Sequence, residues 1–223
     1  MANFPLFRDR TDAGEQLAQV IDATISQAIE SPPQVVYALP RGGLPVALPI
    51  ARKLKCPLSV IVSKKISHPK NPELAIGAVT TIGNVLWNEQ NPYPKDFEPQ
   101  TALQQAVATA EAQMAQFNPA CPQVSATGAV AIIVDDGIAT GMTIAVAAQA
   151  IKKQQPAAIW LCAPVAPPSL LSWLQTWGDR LVILHTPESF FSVSHFYQHF
   201  EQVKTIEAIA CLHQQYDWLS KTN

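Results

Sequence analysis

The chain has 223 residues, 48% of them hydrophobic and 14% charged, a composition that fits a water-soluble globular protein with room for one large α/β core. Its 15 Lys and Arg against 17 Asp and Glu leave a formal net charge of −2, which excludes a general electrostatic pull toward nucleic acid or an anionic membrane and makes any anion site local. Cys56, Cys121, Cys162 and Cys211 are widely separated and form no CxxC pair, so they suggest neither a zinc site nor a disulfide framework, and a reducing cytoplasm is the expected compartment.

At the N-terminus, MANFPLFRDRTDAGE carries charge where a secretory signal would need an apolar run, and no window approaches the roughly 20 apolar residues of a membrane span. Asp12 to Ser31 reads as a helix, with Asp12 as its cap, Glu15 three residues on, and Leu17, Val20, Ile21, Ile25, Ala28 and Ile29 at helical spacing; Pro32 and Pro33 end it. QVVYALP (34–40) then reads as a strand, Arg41 and two glycines as a turn, and Leu44, Ala47, Leu48, Ala51 and Leu54 as one face of a helix. PLSVIV (57–62) is a strand, LAIGAVTTIGNVLW (74–87) one long or bent strand pair, and Asp96 to Phe117 an alanine- and glutamine-rich helix.

The same grammar continues through AVAIIVDD, a helix from about Gly141 to Gln154, the strand AAIWLCA, a Pro-flanked helix near 168–176 and the strand RLVILH. Strands that read as buried on both faces alternate with helices, so the expected fold is α/β, a mostly parallel central sheet flanked by helices. Three segments rich in Pro and Asn, 67–73, 88–99 and 117–127, read as loops within one domain. From Ser194 onward, aromatics and acids at helical spacing suggest a closing helix. There is no internal repeat.

The chemistry concentrates in VDDGIATGMT, at the end of AVAIIV. Ligands of open parallel sheets bind outside the carboxyl ends of the strands, which is where Asp135 and Asp136 fall. Successive side chains of a strand point to opposite faces, so these carboxylates diverge and do not form a shared-proton dyad. Ionised acids only accept hydrogen bonds, and two at a strand edge suit adjacent sugar hydroxyls or the water shell of a magnesium ion. Gly137, Ala139, Thr140 and Gly141 allow close backbone approach, the N–H groups of the next helix face outward, and Thr140 and Thr143 add hydroxyls, which together make an anion pocket. Acids for a diol beside a nest for a phosphate describe a sugar-phosphate site. An isolated Asp-Asp pair more often caps a helix or solvates a loop; the attached glycine-threonine turn is what tips the reading.

These residues resemble the phosphoribosyl pyrophosphate (PRPP) motif of the type I phosphoribosyltransferases. The resemblance implies that Asp135 and Asp136 bind the ribose hydroxyls, and that Gly137, Ile138, Ala139, Thr140, Gly141, Met142 and Thr143 bind the 5-phosphate. ALPRGGLPVA (38–47) is similar to the family's pyrophosphate loop, which would lay Arg41, Gly42 and Gly43 against the diphosphate, and such loops often hold a strained peptide bond. Lys64 and Lys65, read at the end of the PLSVIV strand, either add positive charge there or form a solvated strand end. FRDRTDAGEQLA, NPELAIGAV, PVAPPS and PESFFSVSHFY also resemble bacterial phosphoribosyltransferase-like proteins of unassigned substrate. The implied organisation is a single domain over 1–223, with a core at about 12–185, a lid at about 66–95, and a small hood with the closing helix at about 186–223.

The implied reaction transfers a 5-phosphoribosyl group from magnesium-bound PRPP to a nitrogenous, nucleobase-like acceptor and releases pyrophosphate, with Asp135, Asp136 and Arg41 as the catalytic set. Magnesium is expected to be held mainly through PRPP rather than by a protein ligand set. Phe190 and Phe191 are candidates to stack on the acceptor, with core packing as the alternative. Expected partners are PRPP and a small acceptor, with neither nucleic acid nor membrane, and a homo-oligomer is left open. Two departures stand out. Ala139 replaces the acid that the 6-oxopurine enzymes carry there, and QQAVATAEAQMAQFNPACP lacks the arginines and the Tyr-Arg-Gly stretch of this group. No general base is identifiable, Glu73 and His68 being only in the right segment. A PRPP- or nucleotide-binding regulatory protein without turnover is therefore the alternative.

Overall fold

Asp9, not Asp12, starts the first helix. In the computed structural model, which describes residues 5–27, 32–68, 71–88 and 99–219, α1 runs Arg10–Ile25. Asp9 Oδ1 accepts from Asp12 N at 2.8 Å, and Asp12 Oδ2 accepts from Arg8 N at 2.9 Å. Asp12 thus belongs to the first turn and returns a bond to the residue ahead of the cap, a reciprocal arrangement that satisfies two otherwise free donors. Leu17, Ala18 and Ile21 bury the expected face. The helix stops at Ile25, short of the expected Ser31, and residues 28–31 lie outside the described residues.

The chain then alternates as expected: β1 (Gln34–Ala38), α2 (Gly43–Leu54) and β2 (Leu58–Val60). Next come three strands that the sequence reading partly missed, β3 (Ser63–His68), β4 (Asn71–Thr80) and β5 (Val85–Trp87). The alternation resumes with α3 (Pro99–Phe117), β6 (Val130–Val134), α4 (Met142–Lys152), β7 (Ala158–Val165), the short α5 (Leu171–Leu174) and β8 (Arg180–His185). The start of the expected helix at Asp96 falls outside the described residues.

Two sheets result. Five parallel strands run in the order β2-β1-β6-β7-β8, and β3-β4-β5 form a separate antiparallel sheet. Lys64 and Lys65 therefore belong to a strand of the second sheet and not to the end of β2. Segment 67–73, expected as a loop, is largely strand: Ser67 pairs with Ala75 and His68 with Asn71 across register shifts. Asn71 and Pro72 stand in this irregular pairing, since bulges admit residues that a regular ladder excludes, and residues 69–70 lie outside the described residues.

Each face of the five-stranded sheet has its own core, because alternate strand residues point to opposite sides. Val36, Ala38, Leu58, Ile132 and Val134 pack with α1, α2 and the C-terminal helices, whereas Val35, Tyr37, Leu39, Ala131 and Ile133 pack with α4. The antiparallel sheet rests on the first turns of α4 through Ala78, Met142 and Val146, and on α3 through Ile66, Ile76, Val79 and Ala106.

The expected closing helix from Ser194 begins later. A 3₁₀ turn spans Val193–Phe196, the chain then runs extended, and α6 (Thr205–His213) and α7 (Tyr216–Leu219) follow. Pairing with the N-terminus overrides the local periodicity: Gln198 N donates to Phe7 O at 2.8 Å and His199 N to Arg8 O at 2.9 Å.

Gly14 sets the approach of α1 to α2, since a Cβ there would lie 2.4 Å from Val46 O. Alanine favours helix by about 1 kcal/mol over glycine. Overpacking against backbone costs about 1–3 kcal/mol. Gly14→Ala should therefore lower the urea midpoint without changing the m-value, and a raised midpoint would show that the two helices can separate at little cost.

Candidate functional site

β1 and β6 lie side by side in register, from Gln34 opposite Val130 to Ala38 opposite Val134. From this pair the sheet continues to β2 on one side and to β7 and β8 on the other, so strand order reverses between them, the place where an open α/β sheet leaves a crevice. Leu39 N donates to Val134 O at 2.9 Å, which holds the two strand exits together. The turn 41–43 and the segment 135–143 are thereby neighbours.

Their contact depends on missing side chains. A Cβ on Gly42 would come within 2.0 Å of Asp136 Oδ2, and one on Gly43 within 2.7 Å of Val134 O. The turn contains a cis peptide bond, between Pro40 and Arg41, one bond before Arg41–Gly42. On the other loop, a Cβ on Gly137 would lie 2.4 Å from Val193 Cγ1, and Gly141 adopts φ +75°, a conformation that favours glycine.

The two acids lie just past β6, which ends at Val134, so strand alternation does not set their directions, and the Asp135 carboxyl lies within hydrogen-bonding reach of the Asp136 side chain instead of diverging from it as expected. Asp135 lines a pocket with Lys65, Gly137, Ile138, Ala139, Thr140, Gly141 and Thr143. Asp136 is engaged by the Arg10 side chain, whose Nε donates to Asp136 Oδ2 at 2.7 Å. The Asp136 N–H bonds back to Asp135 Oδ1 at 2.9 Å. Loss of solvent lifts the Asp135 carboxyl well above the ordinary carboxylate range, and the Asp136 charge and a hydrogen bond with the Asp136 side chain push the same way; the hydrogen bond from the Asp136 N–H and the Arg10 charge oppose this without cancelling it.

Opposite the acids, α4 begins at Gly141. Its first intrahelical bond runs from Ala145 N to Gly141 O at 2.9 Å, which leaves the N–H groups of Met142, Thr143 and Ile144 without a backbone acceptor among the described residues. Of the residues expected to hold a phosphate, Ala139 and Thr140 are exposed, Thr143 is half-buried, and the side chains of Ile138 and Met142 are packed in the core. The last two can reach a ligand only through their backbone.

Lys65 comes from the antiparallel sheet to line the same pocket. Lys64, its neighbour on the strand, is half-buried near Arg41, and burial first and the Arg41 charge second lower its pKa. The Arg41 guanidinium reaches Thr205 Oγ1 at 3.4 Å. Phe190 packs against Phe196 with ring centroids 5.1 Å apart, and Phe191 stands 85% exposed; neither lines the pocket. Glu73's side chain lies outside the described part of the structure.

Sequence reasoning passed over Arg10 and Tyr197. Arg10 also donates through Nη1 to Glu201 O at 2.8 Å and lies 3.7 Å from the centroid of the Phe200 ring, while the Tyr197 hydroxyl donates to Asp136 O at 2.6 Å. One sign was present in the sequence. It becomes readable only once the cap is placed at Asp9: a cation in the first turn of a helix opposes the helix dipole, so an arginine at that place needs another reason to be there.

With this geometry in hand, comparison with known proteins is decisive. A model of the phosphoribosyl transferase domain matches residues 9–181. The chain belongs to the phosphoribosyltransferase family. A Mycobacterium tuberculosis protein named "Putative phosphoribosyl transferase", represented from two strains, is 35% identical over 216 residues, which cover 93% of this chain and 46% of that protein. The chain thus spans about half the length of the curated relatives it matches. A crystal structure of a Thermus thermophilus protein superposes with a TM-score of 0.76 at 29% identity, covering 94% of this chain and 98% of that one. The five-stranded parallel sheet with its added antiparallel sheet is the type I phosphoribosyltransferase fold.

In this family member the pocket acid works against folding. A carboxyl whose folded pKa is raised retains its proton in the native state while the unfolded chain has released it, so stability falls as pH rises from the ordinary carboxylate pKa through the raised value. Asp135→Asn should therefore raise the melting temperature at neutral pH, with a gain that shrinks toward zero as pH falls below the ordinary carboxylate range. A gain independent of pH in melts from acidic to neutral buffer would refute this account.

Proposed function

We propose that this chain is a magnesium- and PRPP-dependent phosphoribosyltransferase that transfers its sugar phosphate to a nitrogenous, nucleobase-like acceptor. One observation carries the reading: an acid, the open N-terminus of α4 and Lys65 share one pocket at the switch point of the sheet. The curated relatives have additional length, so the acceptor and partners belong to the proposal as much as the turnover does.

In the proposed reaction the anomeric C–O bond of PRPP breaks, its electron pair leaves with the diphosphate, and a nitrogen lone pair of the acceptor forms the new C–N bond. The acceptor's N–H proton passes to solvent or to the departing diphosphate. The transition state has oxocarbenium character, as in glycoside hydrolysis. Asp135 and Asp136 accept from the ribose hydroxyls and hold the ring in the reactive orientation. Segment 137–143 anchors the 5-phosphate through backbone N–H groups and the hydroxyls of Thr140 and Thr143, each charge-assisted bond contributing about 1.5–3 kcal/mol. Arg41, Gly42 and Gly43 lie along the diphosphate, with Lys64 and Lys65 adding charge. Hard oxygen donors beside a phosphate nest fit a magnesium ion held mainly through PRPP, and its chemistry there is to neutralise the leaving diphosphate.

The antiparallel sheet would serve as a lid, the rest of the expected lid to about 95 lying outside the described residues, and 186–200 as a hood, a role supported by Val193 resting on Gly137. Phe191, with its ring exposed, is better placed than the packed Phe190 to stack on an acceptor. Among the described residues no helix is long and apolar enough to cross a membrane, and a cytoplasmic site of action is part of the proposal.

A second reading, a PRPP-binding regulator without turnover, is favoured by α3, whose sequence PQTALQQAVATAEAQMAQF contains neither Lys nor Arg. Calorimetry decides first whether the site binds: PRPP with magnesium should bind wild type, and Asp135→Asn/Asp136→Asn should weaken it by about a hundredfold or more. Pyrophosphate release across a panel of nitrogenous acceptors then separates the two readings. Binding without release favours the regulator, and no binding by wild type rejects both.

A further inference from the structure

Asp136 is not free. Its Oδ2 is held by Arg10 Nε at 2.7 Å, with the Arg10 and Asp136 side chains only 11% and 16% exposed, and its side chain is also within hydrogen-bonding reach of the Asp135 carboxyl. Arg10 in turn has little freedom. Its Nη1 is fixed on Glu201 O, its face lies on Phe200, and its backbone opens α1 behind the Asp9 cap. The Gly42 turn closes the cluster, since a Cβ there would strike Asp136 Oδ2 and approach Arg10 Nε to 3.3 Å. Three parts of the chain distant in sequence therefore meet at one carboxylate: the start of α1, the turn after β1, and the extended segment before α6.

We propose that Arg10 is a positioning residue of the sugar-phosphate site, occupying one oxygen of Asp136 so that the other is presented to a ribose hydroxyl, with the docked segment 197–201 as its seat. This inference rests on the PRPP-binding reading above. Arg10 itself touches no substrate. Its contribution is orientation: a carboxylate pinned at one oxygen has a single direction in which to accept, and a ligand need not spend affinity on ordering it. A planar guanidinium suits this role because it can engage an acid on one edge, a carbonyl on another and a ring on its face.

The test uses full-length protein and three variants, each checked by thermal melting before use. Arg10→Met keeps the packing on Phe200 and removes the charge; Arg10→Lys keeps the charge and loses the fork. Phe200→Ala leaves Arg10 intact and removes its seat. In calorimetry with magnesium and PRPP, Arg10→Met should bind about ten- to hundredfold more weakly than wild type. Arg10→Lys should recover most of that loss, and Phe200→Ala should weaken binding in the same direction by less. A purely structural role makes methionine and lysine equivalent, or makes methionine the better substitute, and either result would overturn the proposal. Wild-type affinity in Arg10→Met would do so as well. Failure of the wild type to bind PRPP would instead bring down the reading on which this one rests, and the two failures are distinguishable in the first titration.

Discussion

The parallel pairing of β1 with β6 is the constraint on which the site depends. Because their registers end together, at Ala38 and Val134, the turn that carries Arg41 and the loop that carries Asp135 and Asp136 leave the sheet at the same height. Helices α2 and α4 then start on either side of the crevice with their N-termini directed to it, and two anion-attracting helix ends need no further element to bring them together. The remaining strands fill out the sheet and bury its two faces; they do not choose where the chemistry is.

The neighbourhood is crowded to a degree that explains its composition. Gly42, Gly43, Gly137 and Gly141 each have an atom within 3 Å of where a Cβ would stand, and the atoms belong to a carboxylate, a carbonyl, a valine and a tryptophan. Only at Gly43 is the close atom backbone; at the other three, side chains press on the glycine, so each of these loops is held against its neighbours without room for a side chain of its own. The same closeness leaves Asp135 only partly exposed, and a partly desolvated acid next to another is unfavourable for the fold. Sites that run against stability in this way are where function is expected to override packing.

Much of this was legible in the sequence because it is local. The alternation of strands and helices, the buried strands and the two loops are written in consecutive residues, and the acid-acid-glycine-threonine order ties chemistry to one strand end. The parts that were not legible depend on partners remote along the chain. Lys64 and Lys65 read as the end of β2 because no turn residue separates PLSVIV from SKKIS, yet Val60 ends one sheet and Ser63 starts another. The segment after the 3₁₀ turn has helical spacing, but Tyr197, Gln198 and His199 pair with Phe7 and Arg8, a choice visible only when the N-terminus is in place. Arg10 and Tyr197 were overlooked for the same reason, since they meet Asp136 across more than a hundred and across 61 positions respectively.

Val193 on Gly137 has an evolutionary consequence. The underside of the loop at Gly137 is filled by an aliphatic branch from the 3₁₀ turn, so that position cannot accept a methyl group unless the turn gives up volume at the same time. Variation at the two positions is thus available in compensating pairs, a small residue at one for a larger one at the other, and seldom singly. The C-terminal segment is in this sense part of the motif's own inheritance, although it stands more than fifty residues away from it.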